Sequence, residues 1–261
     1  MIHREEPAGL TVITQPAHAW ISGCLARVWG NEQFGSFAPT EEVCLGAEQH
    51  DIGWLWWEGV PTLNANTGYP YNFMEVPTEE HVNIWSNAKQ LALPFGRYVA
   101  LLVSLHGTGL FERYRGWQNS AESSQMVREF LGHEYAFQEK LTVSLQNDSH
   151  YAQYATQEVI ARNRSLVATW DSLSLALCMG MHRQQQFSRV PTASGETTLT
   201  LTPVDNDPTQ IKVAPWSFQH KEVTLVFEGK ILQETFTNDT AMRAALASAD
   251  CTTITTVLSP G

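Results

Sequence analysis

The sequence contains no basic block and no long apolar run. Lys and Arg total 16 against 27 Asp and Glu, which gives a net charge of −11. Because an acidic surface repels a polyanion, we expect no nucleic-acid partner. The longest uninterrupted apolar stretch, residues 98–103, is far too short to span a bilayer, so we expect no membrane partner either.

Paired cysteine spacing and a signal peptide are also missing. Four cysteines lie mostly in apolar segments, which favours reduced and buried thiols: Cys24, Cys44, Cys178 and Cys251. The first residues lack the basic and apolar regions that a secretory signal needs. The sequence therefore predicts a cytoplasmic protein.

Apolar residues make up 43% of the chain, and their spacing predicts a compact, mainly α fold. We expect a helical domain over residues 1–185 and a small antiparallel β module with one short helix over residues 195–261. Polar residues 182–195 are typical of a linker, and Glu228-Gly229 is typical of a hairpin turn. Residues 58–78 lack periodicity and are interpreted as a lid or binding loop.

Imidazole and carboxylate side chains recur within segments that otherwise have the pattern of apolar helices. Borderline and hard divalent metals accept these two ligand types together. Asp171 lies between apolar residues, where it needs a metal, a buried histidine, Arg162 or Arg164 as its partner. A single histidine is more often a surface or core residue than a ligand, and this alternative is strongest for His81. The sequence predicts six metal ligands: His18, His50, Asp51, His81, His106 and Asp171.

The order His, His-Asp, His, His, Asp resembles the HD-domain superfamily of metal-dependent phosphohydrolases, in particular its dinuclear branch. The resemblance covers residues 10–180 and implies an all-α fold with four ligands to one ion: His18, His50, Asp51 and Asp171. His81 and His106 would hold a second ion, bridged by Asp51. The chain also resembles a bacterial HD-like family of unknown function in residues 14–19, 50–54, 104–107 and 215–218.

One position departs from the phosphohydrolase pattern. Many members carry Lys three residues after the aspartate of the His-Asp pair, whereas this chain has Trp54. The missing cation weakens the case for a phosphoester, and an aromatic substrate face is the alternative. Four residues are predicted to line that pocket, although core packing explains each one equally well: Trp54, Trp57, Tyr69 and Phe73.

These observations favour a hydrolase of a small phosphorylated metabolite or nucleotide that uses a metal-activated water at a buried dinuclear site. Asp51, with Glu48 or Glu58, would transfer protons. The ions are divalent, and Fe, Mn, Mg, Ni and Zn are not distinguished. Alternatives are a mixed-valent di-iron oxygenase and a non-catalytic metal-binding regulator. The partner is a small molecule, and a homo-oligomer stays open.

Overall fold

The computed structural model describes all residues 1–261, which form eight α-helices and nine β-strands. The helices are α1 Gln15–Val28, α2 Thr40–Glu48, α3 Trp54–Gly59, α4 Thr78–Ala92, α5 Arg97–Arg113, α6 Ala121–Gln146, α7 Gln157–Met179 and α8 Asp239–Ser248. The strands are β1 Ile2–Glu6, β2 Gly9–Ile13, β3 Leu63–Asn64, β4 Tyr69–Pro70, β5 Gln185–Pro191, β6 Glu196–Val204, β7 Asp207–Ala214, β8 Val223–Leu232 and β9 Cys251–Pro260.

Side-chain caps fix the starts of α1 and α7, the two helices that carry His18 and Asp171. Thr14 accepts a hydrogen bond from the Ala17 amide at the start of α1, where Pro16 loses no intrahelical bond. Thr156 caps α7 through the Val159 amide. At the other end of α7, Gly180 has a φ of 77°, a conformation that favours glycine and ends the helix.

Helix α5 lies at the centre of the helical layer. Its residues 98–104 are all buried, and it packs against α2, α4, α6 and α7. The close approach of α2 depends on Gly46, because a Cβ atom there would lie 2.7 Å from Leu102 Cδ1. No helix is long and apolar enough to cross a membrane. All the cysteines are free; Cys44 and Cys178 are buried, Cys24 is half-buried and Cys251 is exposed.

The second layer is a seven-stranded sheet in the order β1-β2-β8-β9-β7-β6-β5. Most neighbouring strands are antiparallel, but β7 and β9 are parallel, so the sheet is mixed. Strand β2 pairs with β8, with Leu10 opposite Leu232. The first residues of the chain therefore belong to the same sheet as the C-terminal strands.

This sheet corrects the predicted fold class. The protein is an α/β protein with a large curled mixed sheet, so the mainly α and all-α predictions were wrong, as was the small antiparallel module. The hairpin turn predicted at Glu228-Gly229 lies inside β8, and the predicted linker contains β5. Whether residues 1–185 and 195–261 are separate domains stays a prediction, although buried residues of both segments join in one hydrophobic core.

Residues 60–77 form an ordered connection with a short β3–β4 hairpin. Asp239 accepts a hydrogen bond from the Leu63 amide, and Arg243 donates to the Pro61 carbonyl, which ties the connection to α8. The Glu75 carboxylate accepts hydrogen bonds from Asn64 and Asn72 within the same segment. These contacts order the connection and attach it to α8.

Candidate metal centre

Three segments bring four predicted ligands together. His18 lies in the first turns of α1, Asp171 lies in the middle of α7, and these two helices pack against each other. His50 and Asp51 follow the end of α2. Gly53 lets this turn approach α4, because a Cβ atom there would lie 2.4 Å from the Ile84 carbonyl oxygen.

The donor atoms of these four residues face one another. His18 Nε2 lies 3.1 Å from His50 Nε2, 3.2 Å from Asp51 Oδ2 and 3.3 Å from Asp171 Oδ1. His50 Nε2 lies 3.5 Å from Asp51 Oδ2 and 3.4 Å from Asp171 Oδ1. All four residues are buried, so water contributes little to the solvation of their polar atoms.

The separations match the edges of a metal coordination shell. Bonds of about 2.0–2.2 Å place neighbouring donor atoms about 3.0 Å apart in octahedral and about 3.4 Å apart in tetrahedral coordination. The measured distances from His18 and His50 span 3.1–3.5 Å. Two imidazoles and two carboxylates in this arrangement could hold one divalent ion.

Hydrogen bonds behind the imidazoles orient them. His50 Nδ1 lies 2.7 Å from the Ala47 carbonyl oxygen, which can only accept, so Nδ1–H donates. In the neutral ring the Nε2 lone pair then points at the other three residues. His18 Nδ1 lies 2.7 Å from Ser174 Oγ. A second hydrogen bond of this kind is typical of histidines that bind metals.

Opposite charges within the cluster outweigh the cost of burial. Burial alone disfavours imidazolium, but Asp51 and Asp171 raise the pKa of His50 to about 10 and also raise the pKa of His18. Burial likewise disfavours carboxylate, yet the two histidines lower the pKa of both Asp51 and Asp171. The four groups therefore favour their ionised forms, and a metal ion that binds here would displace the protons from the two Nε2 atoms.

His106 extends the cluster as a fifth donor. One of its ring nitrogens lies within 4.8 Å of donor atoms of His50 and Asp171. Burial and the neighbouring His50 lower the pKa of His106 to about 4, so the ring is neutral. Its Nε2 atom is buried and has no hydrogen-bond partner, which is costly for a polar atom.

His81 does not join either group of metal-ligand atoms. Its Nε2 lies 2.9 Å from the Phe73 carbonyl oxygen, and its ring packs edge-on against Trp54 with 5.4 Å between ring centroids. Burial lowers the pKa of His81. The structure thus brings His106 but not His81 to the four central ligands, and the second ion stays a prediction.

The two glutamates that were predicted to transfer protons have other partners. Glu58 is buried and accepts hydrogen bonds from the Gln15 amide at 3.1 and 3.0 Å, and it lies 3.0 Å from the Met1 amino nitrogen. Glu48 forms an ion pair with Arg27. Neither glutamate belongs to the groups of possible ligands, whereas Asp51 does.

The predicted substrate-pocket residues lie in two places. Trp54 and Trp57 are buried in the core and pack edge to face, with 5.7 Å between ring centroids. Tyr69 and Phe73 are half-buried. Tyr69 borders a cleft of about 670 Å³ between β1, residues 67–75 and the end of α7, away from the four central ligands.

Sequence reasoning missed Ser22 and Ser174, the two hydroxyls behind His18. Ser174 lies one helical turn after Asp171, and Ser22 lies one turn after His18. Residues three or four apart share a helix face, so this spacing was the available signal. Trp85 was missed too; the centroid of its ring lies 5.5 Å from that of the His106 ring.

A family model described as "Protein of unknown function (DUF3891)" matches residues 1–234. The matched region contains all six predicted metal ligands and every strand up to β8. No curated protein and no solved structure matches the chain. The match does not connect the chain with the HD-domain superfamily, so that resemblance stays a prediction.

Proposed function

The chain belongs to the DUF3891 family, and we propose that it is a metal-dependent hydrolase of a small phosphorylated metabolite or nucleotide. A divalent ion would bind to four residues: His18, His50, Asp51 and Asp171. The observation that carries the proposal is the set of donor distances of 3.1–3.5 Å around the two buried imidazole nitrogens.

Packing alone gives a poor account of this arrangement. The Nε2 atoms of His18 and His50 face each other at 3.1 Å, and two lone pairs at that distance repel. Either a proton or a metal ion must lie between them and the carboxylates. Burial of ionisable groups is costly unless they are paired or bound to metal, and a divalent ion satisfies all four donors at once.

The donor set also indicates which ions would allow catalysis. Zn²⁺ with four protein ligands forms a closed, structural site, whereas a six-coordinate ion keeps two positions for water or substrate. Mixed imidazole and carboxylate ligands suit Mn²⁺, Fe²⁺, Co²⁺ and Ni²⁺. We therefore favour a six-coordinate ion for the active protein.

Each of the ligand residues would have a separate role in the reaction. When bound, the ion would lower the pKa of a coordinated water and polarise the phosphorus–oxygen bond that breaks. Asp51 and Asp171 would neutralise the ion, while His18 and His50 would orient it. His106 would supply a fifth donor through a ring nitrogen that lies beside His50 and Asp171, and a six-coordinate ion would then keep one position for water or substrate. The buried surroundings would exclude bulk water from the centre.

The oxygenase alternative has less support. A di-iron site needs a second set of ligands, and His81 bonds to the Phe73 carbonyl and joins no group of possible metal ligands. Trp54, in the place of a phosphate-binding Lys, remains the feature that argues against a phosphoester substrate.

The test combines metal analysis with a substrate screen. Protein purified without added chelator is analysed for metals, then stripped and reloaded anaerobically with Mn²⁺, Fe²⁺, Co²⁺, Ni²⁺, Mg²⁺ or Zn²⁺. Each form is screened against a panel of phosphomonoesters and nucleotides. The variant Asp51→Asn should lose both metal and activity, whereas Asp250→Asn, an exposed control, should keep both.

Four outcomes separate the hypotheses. Phosphate release that requires metal and is lost in Asp51→Asn supports the hydrolase. Two irons per chain with oxygen-dependent turnover would replace it with the oxygenase. Metal binding without turnover on the whole panel would leave a non-catalytic metal-binding protein, and absence of metal binding would refute the proposal altogether.

A further inference from the structure

We propose that Ser174, supported by Ser22, is a positioning residue that orients the His18 ring with its Nε2 atom toward the metal centre and thereby raises its affinity for metal. The inference rests on the proposed metal centre. Ser174 Oγ lies 2.7 Å from His18 Nδ1, 2.7 Å from Ser22 Oγ and 2.9 Å from the Asp171 carbonyl oxygen. Both serines are completely buried.

The number of available protons fixes the direction of these three hydrogen bonds. A serine hydroxyl has one proton to donate and two lone pairs that accept. The Asp171 carbonyl oxygen can only accept, so Ser174 donates its proton there. Ser174 must then accept from its other two partners, which are the Ser22 hydroxyl and His18 Nδ1–H.

This direction determines which nitrogen of His18 faces the metal centre. With the proton on Nδ1, the neutral ring presents a lone pair on Nε2, the atom that lies 3.2 Å from Asp51 and 3.3 Å from Asp171. The opposite tautomer would point an N–H group at the position of the ion. Ser174 therefore selects the form of His18 that binds metal, as groups behind metal-binding histidines commonly do.

Ser174 also connects two of the ligands. It bonds to the side chain of His18 on α1 and to the backbone of Asp171 on its own helix α7. The hydrogen-bond partner of the Ser22 hydroxyl is Ser174. Ser22 can therefore donate its hydroxyl proton to the second lone pair of Ser174 Oγ. Loss of Ser22 should therefore weaken the arrangement without abolishing it.

The experiment measures the affinity of stripped protein for Co²⁺ by visible absorption. We expect Ser174→Ala to weaken Co²⁺ binding by roughly 10- to 100-fold, the usual cost of losing such a partner. Ser22→Ala should weaken it by less, and Ser174→Thr, which keeps the hydroxyl, should restore most of the affinity. Ser172→Ala is the matched control, because Ser172 bonds only to the Ala168 carbonyl on the same helix.

Each outcome decides a separate question. If the wild-type protein and Ser172→Ala bind Co²⁺ while Ser174→Ala binds with unchanged affinity and an unchanged visible spectrum, the positioning role is refuted and the metal centre stands. If the wild-type protein does not bind Co²⁺, the proposed function itself fails. Should Ser174→Ala not fold, Ser22→Ala decides: an affinity equal to that of Ser172→Ala refutes the role.

Discussion

His18 and His50 direct their Nε2 atoms at each other across 3.1 Å, although α1 and the turn after α2 could have placed the rings in many other ways. Each ring is held from behind, His50 by the Ala47 carbonyl and His18 by Ser174. Hydrogen bonds to the two Nδ1 atoms therefore hold both rings in this orientation. Two nitrogen lone pairs at this distance repel unless a proton or a metal ion lies between them, and the first prediction tests the metal ion.

A bound divalent ion should stabilise the protein. An ion at 100 times its dissociation constant adds about 2.7 kcal/mol to the free energy of unfolding, provided that the unfolded chain does not bind it. Removal of the ion with a chelator should therefore lower Tm, and added Mn²⁺ or Co²⁺ should restore it. Differential scanning calorimetry measures both shifts. An identical Tm with and without saturating metal would contradict the prediction.

Replacement of a central carboxylate should remove the metal. Asp171→Asn keeps the shape of the side chain but loses the charge that lies 3.3 Å from His18 Nε2. We expect metal content measured by plasma mass spectrometry to fall below one tenth of an ion per chain, on the order of the loss expected from one missing charged ligand. Glu158→Gln, on the exposed first turn of α7, should retain the wild-type content.

The two outer histidines should behave differently. His106→Ala removes a nitrogen that lies beside His50 and Asp171, so it should weaken metal binding. His81→Ala removes a side chain that bonds to the Phe73 carbonyl, so it should leave the stoichiometry at one ion per chain. Two ions in the wild-type protein and one in His81→Ala would instead support the dinuclear site predicted from the sequence.

The four central residues could be predicted as one site because the need for a partner is visible in the residues that adjoin each of them in the sequence. An ionisable side chain in an apolar helix needs a partner. Asp171 could be recognised as such a side chain without knowledge of the fold. No such sequence pattern indicated the partners of Glu48 or Glu58. Glutamate near a motif is common, and the sequence did not reveal that Arg27 and the Gln15 amide would occupy these carboxylates.

The sheet was harder to predict, because strand pairing depends on residues that are distant in sequence. The apolar segment of β2 was visible, but its partner β8 lies beyond all of the large helices. Glu228-Gly229 has the composition of a turn, yet Gly229 lies opposite Thr252 within a continuous strand. A Cβ atom at Gly229 would lie 2.6 Å from Thr11 Cγ2, so close packing, not a turn, requires glycine there.

A buried ion pair beside α5 should control stability. Glu134 is buried and pairs with Lys89, and it also accepts a hydrogen bond from Ser104 at 2.6 Å. Glu134→Ala would leave the Lys89 ammonium without its partner, so we expect a loss of about 3–5 kcal/mol in the free energy of unfolding. Urea denaturation measures it. Glu129→Ala, on the exposed face of the same helix, should cost about 0.5 kcal/mol or less.

Truncation after residue 185 should not yield a soluble folded protein. It would remove β8, leave one edge of β2 unpaired, and expose core residues that now pack against the sheet. We expect the fragment 1–185 to aggregate or to lack a cooperative thermal transition. A soluble fragment with a sharp transition would show that the helical part is an independent domain.

The pairing of β2 with β8 also determines when folding of the sheet can be completed during synthesis. Leu10 leaves the ribosome 222 residues before its partner Leu232. At about 5–20 residues per second, this delay lasts on the order of ten to forty seconds. Throughout this interval the β1–β2 hairpin has an open edge that other nascent chains can join. Incomplete chains are therefore expected to associate through the β1–β2 hairpin, until β8 covers its edge.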